Sequence, residues 1–498
     1  MIGAICNSAI NQNLTSLLGC GIMAAGKNCE VKAVTEYLFP VGIVDSRGVT
    51  NGHNLMYKKP MQIGLTEQKT TTVEDGGYLI LDFGMQLCGS IRILTFLSDN
   101  ASVHIRFGES LTECCSEIGG EQNATNDHAL RDFTTPLSRY SDMTFGNTGF
   151  RFVRLDFVGQ VVLKSVVAVN NILKRKTVYS YTGSDPLIAQ IYHTAKRTVD
   201  LCASSGYVWD GVKRDRLVWI GDIHPEMLAL TTLYGKCPEI ERSLDFIKDQ
   251  TPLPGWMNRY PMYSMWWIII LQDYFARTGC TAFAKRQIPY LKGLIAQLDE
   301  HVLEDGTLNY PRYFVDWPTR HQPDELHGAR AINILAVKKA ILLLLAFDCD
   351  TAKANALLER LQQIPILPSH SKQVTALKFF AAELDEADKE RLIAGGAQGM
   401  STFMSYYILK AVASFDKAAA ISMMKEYYGA MLDKGATTFW EDFSMDWAEN
   451  TCRIDQLPAK GEQDIHGDFG AYCYKGFRHS LCHGWSAGVI AFIREECE

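Results

Sequence analysis

The stretch Tyr181-Thr-Gly-Ser-Asp-Pro-Leu-Ile-Ala-Gln-Ile-Tyr-His-Thr-Ala-Lys-Arg-Thr-Val marks a change of periodicity in the chain. Ser184 or Asp185 can accept the first backbone N–H groups of a helix, and the proline that follows is tolerated in a first helical turn. Apolar residues then recur at helical spacing, at Ile188, Ile191, Ala195 and Val199. The stretch therefore predicts the start of a long helical region.

The residues before this stretch have the pattern of β-strands. Short segments rich in β-branched and aromatic residues are separated by Gly or Asp-Asn turns. These segments are Tyr78–Phe83, Ile91–Phe96, Val103–Phe107, Phe150–Phe157 and Gln160–Val169. Several such strands without a helical period predict an antiparallel β-sandwich, which we assign to residues 1–180 as an accessory domain. The first 40 residues either complete this sandwich or pack on the domain that follows.

Helical patterns dominate residues 181–498. The predicted helices are 186–204, 227–234, 240–248, 264–277, 288–304, 329–346, 352–363, 373–382, 387–392, 402–415, 418–432 and 483–494. About twelve helices in pairs match a closed ring of six hairpins, an (α/α)6 barrel, and no fixed-period repeat indicates a solenoid. We predict that this second domain is the catalytic one, because its loops hold many Trp, Asp, Glu and His residues.

Composition excludes several classes of protein. A chain of 498 residues is too long for one ordinary core, and its 47% hydrophobic and 21% charged residues are typical of soluble globular proteins. The net charge of −7 and the scattered basic residues argue against nucleic-acid or anionic-membrane partners. The longest apolar run, Met262–Phe275, is too short to span a bilayer and contains Gln272 and Asp273.

The N-terminal segment and the cysteines predict a cytoplasmic protein without metal or cofactor. The first residues lack a basic segment, and Asn7, Asn11 and Asn13 interrupt any apolar stretch, so no secretory signal is expected. A periplasmic or secreted mature product would show the same sequence. The 14 cysteines form no Cys-x-x-Cys pair and no zinc-like spacing with His, so we expect reduced thiols. The sequence leaves the oligomeric state open, a homo-oligomer included.

One loop combines carboxylates with indoles. Trp209-Asp-Gly-Val-Lys-Arg-Asp-Arg-Leu-Val-Trp-Ile-Gly-Asp holds three acids, three cations and two tryptophans, and a helical pattern follows it. Carboxylates exchange protons with glycosidic oxygens, and indole faces stack on the C–H faces of sugar rings. A solvated, salt-bridged loop is the alternative interpretation, although exposed indoles are costly. We therefore interpret Asp210, Asp215, Trp219 and Asp222 as candidate site residues.

A second cluster, Gly435-Ala-Thr-Thr-Phe-Trp-Glu-Asp-Phe, contains Trp440 and Glu441. Two carboxyl groups from distant segments can flank one glycosidic bond. One must be protonated to release the leaving oxygen and the other ionised to activate water, so their surroundings must separate their pKa values. A Glu that merely follows a buried Trp is the alternative. Weaker candidates are Trp266-Trp267, Asp316-Trp317 and His483 with Trp485.

Taken together, these motifs resemble the α-L-rhamnosidases of glycoside hydrolase family 78. The resemblance covers nearly the whole chain from about residue 75. It rests on Asp82-Phe-Gly, Ile105-Arg-Phe-Gly-Glu-Ser-Leu, Gly146-Asn-Thr-Gly-Phe-Arg-Phe-Val-Arg, the 210–222 run, Trp266-Trp, Phe314-Val-Asp-Trp-Pro, Ala436-Thr-Thr-Phe-Trp-Glu and Ser480-Leu-Cys-His-Gly-Trp-Ser. It implies a β-sandwich ahead of an (α/α)6 barrel and inverting hydrolysis of terminal α-L-rhamnosyl residues in a rhamnose-containing carbohydrate.

By position, the resemblance places the general acid at Asp215 and the general base at Glu441. The residues that would hold the sugar are Asp210, Arg214, Trp219, Asp222, Trp267, Trp317 and His483, and we add Trp440 from the second cluster. Inversion requires room for a water molecule, so the two carboxyl groups should lie about 6.5–9.5 Å apart, whereas about 5 Å favours retention.

The sequence departs from the family in two ways. Asp215 stands where the family usually has Glu, so the acid acts from a shifted backbone, acts weakly, or is replaced by a neighbour such as Glu226. The family commonly carries a C-terminal β domain after the barrel, whereas the sequence stops at Glu498, shortly after His483-Gly-Trp. Two alternatives therefore remain open: an (α/α)6 glycosidase acting on another sugar, and a carbohydrate-binding relative that does not hydrolyse its ligand.

Overall fold

The strand-forming segments pair into one antiparallel sheet. The computed structural model describes residues 31–98, 100–117, 130–472 and 475–498. The sheet strands are β1 Val31–Leu38, β2 Gly42–Thr50, β3 Thr71–Ser98, β4 Ala101–Gly108, β5 Asp132–Leu137, β6 Asp142–Val158 and β7 Val161–Arg175. Their spatial order is β1-β7-β3-β6-β4-β5, with β2 also paired to β3. Residues 1–30 lie outside the described part, whereas residues 31–38 belong to the sheet.

Strand β3 curls the sheet. The sequence predicts two separate strands here, at 78–83 and 91–96, but they are parts of one strand of 28 residues. The strand pairs with β2 through residues 72–82 and with β7 through residues 71–73 and 89–98. Its register with β6 shifts between Asp82 and Leu87. Gly84, at a φ of 78°, lies inside this irregularity. The antiparallel β structure is thus confirmed, but the strands join in one curled sheet.

The concave interior of the sheet holds its own apolar core. Alternating residues of β3, β4 and β6 are completely buried, among them Leu79, Leu81, Ile93, Val103, Ile105, Phe150 and Leu155. Each such side chain contributes roughly 1.5–3 kcal/mol when it is removed from water. This core explains why the period-2 pattern of these segments identified strands from the sequence.

Helices make up most of the remaining chain. A short helix α1, Leu111–Cys115, follows β4. After β7, the described residues form twelve helices: α2 Pro186–Cys202, α3 Ile223–Tyr234, α4 Pro238–Asp249, α5 Pro261–Thr278, α6 Thr281–Glu300, α7 Glu325–Ala346, α8 Ala352–Gln362, α9 Lys372–Ala381, α10 Glu386–Ile393, α11 Ser405–Ala413, α12 Lys417–Asp433 and α13 Val489–Glu496. Asp185 begins the first of them, because its carboxylate accepts the backbone N–H groups of Leu187 and Ile188 at 2.9 and 3.1 Å.

Six of these helices contact one another in cyclic order. The contacts run α3–α5–α7–α9–α11–α13, and α13 returns to α3. These helices are largely apolar on all sides, and α3 buries every one of its residues. The helices between them in sequence are amphipathic, and α8, for example, buries only Ala354, Leu357 and Leu361. The two sets of helices therefore differ in how much of their surface is buried.

The longest apolar run of the sequence forms helix α5. Its residues from Pro261 to Gln272 are all buried within the helical part of the protein. Within the described ranges, no helix has the length and the apolar character needed to cross a membrane. The run is thus accounted for by packing inside the protein.

Short connections complete the helical part. Strands β8 Thr451–Cys452 and β9 Gln463–Asp464 form a small parallel pair. The 3-10 helices are Gly52–Met56, Met257–Arg259, Trp317–Thr319, Met445–Ala448, Gly476–Arg478 and Gly484–Gly488. A polar contact links the sheet to the helical part: Arg151 of β6, held by a double hydrogen bond to Asp82 of β3 at 2.9 Å, also donates to Asp455 at 3.4 Å.

Candidate active site

Three loops that lead into or out of the helices converge on one point. They are residues 203–222 before α3, residues 434–443 after α12, and residues 479–485 before α13. The third loop lies against both others, since Gly211 forms an antiparallel bridge with His483, and the backbone N–H of Glu441 donates to the carbonyl of Ser480 at 2.9 Å. Backbone hydrogen bonds therefore fix the relative positions of these loops.

The Arg214 guanidinium joins two carboxylates that are far apart in the sequence. Nη1 donates to Asp215 Oδ2 at 2.8 Å, and Nη2 donates to Glu441 Oε1. Nε donates to the carbonyl of Arg478 at 2.8 Å, which fixes the plane of the guanidinium. The side chains of Arg214 and Glu441 are 4% and 2% exposed, so the second ion pair is shielded from water.

Asp215 is the carboxylate of this pair that reaches solvent, with 19% of its side chain exposed. Its φ of 57° and the φ of 52° at Arg216 place two successive residues in the left-handed region. Non-glycine residues in that region each cost about 1 kcal/mol or more. The turn is held because the N–H of Arg216 donates to the carbonyl of Arg214 at 2.7 Å, and its guanidinium donates to the carbonyl of Asn147 at 2.7 Å.

Glu441 is buried and held from several sides. Its Oε2 accepts the backbone N–H of Ser480 at 3.0 Å, while its own carbonyl accepts the Thr402 hydroxyl at 2.5 Å and the Trp485 indole N–H at 2.9 Å. Burial raises the pKa of Glu441 to about 7, and Arg214 and the Ser480 N–H oppose that rise because they stabilise the ionised form. A carboxyl group with such a pKa can exchange a proton near neutral pH.

Two further aspartates lie close to this pair. Burial raises the pKa of Asp210 and that of Asp222 well above the ordinary value, and the neighbouring carboxylates add to both shifts. Asp210 accepts the N–H of Leu217 at 2.9 Å, which closes the 203–222 loop. Asp222 lies 3.3 Å from Nε2 of His483, whose Nδ1 lies 3.8 Å from Glu441 Oε1. Burial holds the pKa of His483 well below its ordinary value, so its imidazole is neutral.

Glu226, the other acid considered at the sequence level, lies in α3 and is completely buried. Among the described residues, neither of its carboxyl oxygens has a hydrogen-bond partner. Burial, with Asp222 and Asp210 nearby, raises its pKa well above the ordinary value. The backbone of Gly484 packs directly on it, because a Cβ at that position would lie 1.4 Å from Glu226 Oε1. Glu226 therefore lies behind the site rather than on its solvent side.

The indoles divide into two groups. Trp219 and Trp317 are partly exposed, and Trp317 stacks on Tyr472 with ring centroids 5.3 Å apart. Trp267 and Trp440 are completely buried. The indole N–H of Trp267 donates to the Leu244 carbonyl at 3.2 Å, so its polar edge is used within the helical core. The first two reach the surface and can contact a ligand there, while the other two support the loops from behind.

Two loop aspartates lie next to these indoles in the sequence: Asp316 is buried, and Asp442 is partly buried. The Ser401 hydroxyl donates to Asp316, and burial raises the pKa of this aspartate to about 6. Burial and Asp316 together raise the pKa of Asp442 to about 7. The N–H of Asp442 donates to Nε2 of His479 at 3.0 Å, which ties Asp442 to the segment that holds Glu441.

Sequence reasoning overlooked the residues that support the site from the sheet. Glu109 and Glu113 are completely buried, and each lies 3.3 Å from the ammonium group of Lys213. Lys213 is the residue before Arg214 in the sequence. Leu481 N–H donates to Glu109 Oε2 at 2.6 Å. Charged residues usually lie in water, so nothing in the spacing of these glutamates identified them as buried partners. Ser480 was visible only as part of a motif, because its role depends on its backbone N–H.

Solved structures of rhamnosidases share this fold. A rhamnosidase from Klebsiella oxytoca with rhamnose bound matches 94% of this chain and 96% of its own, with a TM-score of 0.73 and 19% identity. The GH78 family rhamnosidase of Bacillus sp. GL1 matches 89% of this chain and 48% of its own, with a TM-score of 0.67 and 20% identity. The Streptomyces avermitilis α-L-rhamnosidase complexed with L-rhamnose matches 84% of this chain and 42% of its own, with a TM-score of 0.60 and 16% identity.

The chain thus spans nearly the whole of the Klebsiella protein and about half of the other two. No protein-family model and no curated protein matches the sequence. At these identities the comparison establishes the fold: the chain has the architecture of the solved α-L-rhamnosidases, as the sequence motifs predict.

Proposed function

We propose that this protein is a glycoside hydrolase that removes terminal α-L-rhamnosyl residues with inversion of configuration. The observation that carries the proposal is the Arg214 guanidinium, which holds the carboxylates of Asp215 and Glu441 together. Two carboxyl groups from distant loops, one reaching solvent and one buried, provide the acid and the base that glycoside hydrolysis needs. The shared fold supports the choice of sugar, because two of the similar structures hold rhamnose.

In the proposed reaction, Asp215 gives its proton to the glycosidic oxygen as the C1–O bond breaks. The leaving group departs as an alcohol, and Glu441 removes a proton from the water whose oxygen forms the new bond on the opposite face of C1. The assignment of Asp215 as the acid is supported by the turn at residues 215 and 216, which both have left-handed backbone conformations. Such a turn displaces the backbone, and this displacement can compensate for the Asp side chain, which is one methylene shorter than that of Glu. Asp215 ends as a carboxylate beside Arg214, which stabilises that charge.

We propose that the sugar is held by the residues around this pair. Asp210 and Asp222 offer carboxyl oxygens to sugar hydroxyls, together with Arg214 and the neutral His483. Trp219 and Trp317 provide partly exposed indoles that can contact the sugar, and the Trp317 ring is held by Tyr472 and by the Arg320 guanidinium, 4.9 Å from its centroid. From their buried positions, Trp267 and Trp440 act as supports for the walls of the site.

We further propose that residues 181–498 form an (α/α)6 barrel with residues 1–180 as its accessory β domain. The cyclic contacts of α3, α5, α7, α9, α11 and α13 support a ring of six helices, each preceded in sequence by an amphipathic helix. The three converging loops of the site precede or follow helices at one end of that ring. Such a barrel leaves its loops free to carry chemistry on a rigid scaffold.

A panel of aryl glycosides tests the proposed function. We expect the wild-type protein to hydrolyse aryl α-L-rhamnoside, and NMR of the first product to show the inverted anomer. Glu441→Gln should lower kcat by at least roughly 1,000-fold, because it removes the base. Asp446→Asn, at an exposed carboxyl near Glu441 in sequence, serves as the control and should keep full activity.

Asp215→Asn separates the acid from other roles. Its activity should fall most on substrates with poor leaving groups and least on those with activated aryl groups, because only the former need a proton. Each alternative has its own outcome. Turnover of another aryl glycoside alone would identify a different glycosidase, and rhamnose binding without turnover would identify a carbohydrate-binding protein. A retained anomer would contradict the inverting mechanism.

A further inference from the structure

Lys213 has no part in the proposed chemistry, yet its ammonium group is completely buried. It lies 3.3 Å from Oε2 of Glu109, the residue after β4, and 3.3 Å from Oε1 of Glu113 in α1. It also donates to the carbonyl of Phe477 at 2.7 Å and to the carbonyl of His479. A lysine with this many partners is a junction between the sheet, the 203–222 loop and the segment before α13.

Charges balance within this junction. Arg131 donates to Glu113, so two cations face two carboxylates. Burial lowers the pKa of Lys213 and raises that of Glu109, and each of these two groups opposes the shift of the other. The ligand-type atoms of Glu109, Glu113 and His466 lie within 4.8 Å of one another, but the Lys213 ammonium already contacts all three side chains. The lysine thus provides the positive charge at this point.

The segment 477–481 connects the junction to the catalytic pair. The carbonyls of residues 477 and 479 accept from Lys213, and the carbonyl of Arg478 between them accepts from Arg214 Nε at 2.8 Å. The next N–H, of Ser480, donates to Glu441 Oε2 at 3.0 Å, and that of Leu481 donates to Glu109 at 2.6 Å. Consecutive backbone groups therefore bind alternately to the junction and to the site.

We infer that Lys213, with Glu109 and Glu113, is a positioning residue that fixes the segment 477–481, so that Ser480 and Arg214 hold Glu441 in place. The inference rests on the proposed function and assigns the β domain a direct part in it, since both glutamates come from that domain. Loss of the junction should loosen the Ser480 N–H and the Arg214 guanidinium together. Neither effect requires any contact between Lys213 and substrate.

A charge-balanced double variant tests the role of Lys213. Lys213→Met with Glu109→Gln removes one cation and one anion, whereas Lys213→Met alone would leave two buried glutamates undercompensated. The matched control is Lys378→Met with Asp388→Asn, which removes another ion pair with a buried carboxylate, at 2.5 Å between α9 and α10. Glu109→Gln alone is a milder variant that keeps the lysine.

The first readout is the pKa of the Glu441 carboxyl, measured by 13C NMR of glutamate-labelled protein and assigned with Glu441→Gln. In the wild type the charged or polar groups facing this carboxyl are Arg214, the Ser480 N–H, His483, Asp215, Asp210 and Asp222. Ser480 and Arg214 lower its pKa, so their loosening should raise it above the wild-type value of about 7. The milder variant should give a smaller rise and the control none. An unchanged pKa in the folded double variant would overturn the inference.

The second readout is activity. In the double variant kcat should fall by at least roughly tenfold with KM changed less than about twofold, and the acidic limb of kcat/KM should move to higher pH. A fall equal to that of the control would also count against the inference. The two proposals fail separately: a wild type inactive on every glycoside refutes the proposed function, whereas the Glu441 titration judges the role of Lys213 without any turnover.

Discussion

The buried carboxyl of Glu226 should make folding stability depend on pH. Both of its oxygens lack hydrogen-bond partners among the described residues, and it is completely buried next to Asp222. Its pKa is raised well above the ordinary 4.5 because burial favours the neutral acid. Above pH 4.5 the unfolded chain loses this proton while the folded protein keeps it, so the folded state binds more protons. Stability is therefore lost as pH rises from 4.5 toward the raised folded pKa, and is unaffected below it.

The size of the effect follows from proton linkage. One proton of difference changes the free energy of unfolding by about 1.4 kcal/mol for each pH unit. Glu226→Gln removes this titration and nearly keeps the shape of the side chain. If the Gln amide has no hydrogen-bond partner, it lowers the free energy of unfolding by about 1–3 kcal/mol, but this loss does not vary with pH. The difference in unfolding free energy between variant and wild type should thus rise with pH at a slope of up to about 1.4 kcal/mol per unit in favour of the variant.

Thermal and urea unfolding at a series of pH values between about 5 and 8 measure this slope. Glu226→Met provides a second neutral side chain, and Glu304→Gln, at a side chain that is 96% exposed, is the control with no expected slope. A difference that stays constant with pH for both Glu226 variants would show that the carboxyl is ionised in the folded protein. The account of an unpaired, neutral acid would then be wrong.

Three other predictions concern the site itself. Arg214→Met should lower kcat/KM on the order of 100-fold. The acidic limb of the pH–rate profile should also move to higher pH than in the wild type, because the guanidinium lowers the pKa of Glu441, which is about 7. An acidic limb at the wild-type pH would contradict this prediction. Trp317→Ala should raise KM roughly five- to tenfold with little change in melting temperature, since a partly exposed ring face is lost. Trp267→Ala should instead destabilise the protein by about 3–5 kcal/mol, and a stable variant with raised KM would place that indole in the site.

The helical part could be predicted closely from the sequence because its signals are local. Asp185 caps α2 as its position before a proline indicates, and each predicted helix after it has a counterpart in the structure. The sheet was harder, because pairing is not local. Residues 78–83 and 91–96 look like two strands with a turn between them, yet the intervening residues form a bend within β3. Periodicity identifies a strand but not whether the next one continues it.

In the candidate site, too, the residue types could be predicted from the sequence but their contacts could not. Its acids and indoles were identifiable by residue type, and the structure brings Asp215 and Glu441 to one guanidinium. The contacts that set their charge states were not identifiable, because the Ser480 N–H is a backbone group that every residue except proline possesses. A residue type also does not reveal burial. Trp267 and Trp317 have the same indole, but Trp267 is buried and Trp317 reaches the surface.

The bridge between Gly211 and His483 has a consequence for biosynthesis. Asp222 and His483 are 261 residues apart. At about 5–20 residues per second, a ribosome needs roughly 13–50 s to add that length of chain. During that time the loop that holds Arg214 and Asp222 exists without Glu441 and His483, so the candidate site is incomplete in the nascent polypeptide. The proposed activity therefore requires that the chain be synthesised past His483 and that this residue fold back onto the loop of Gly211.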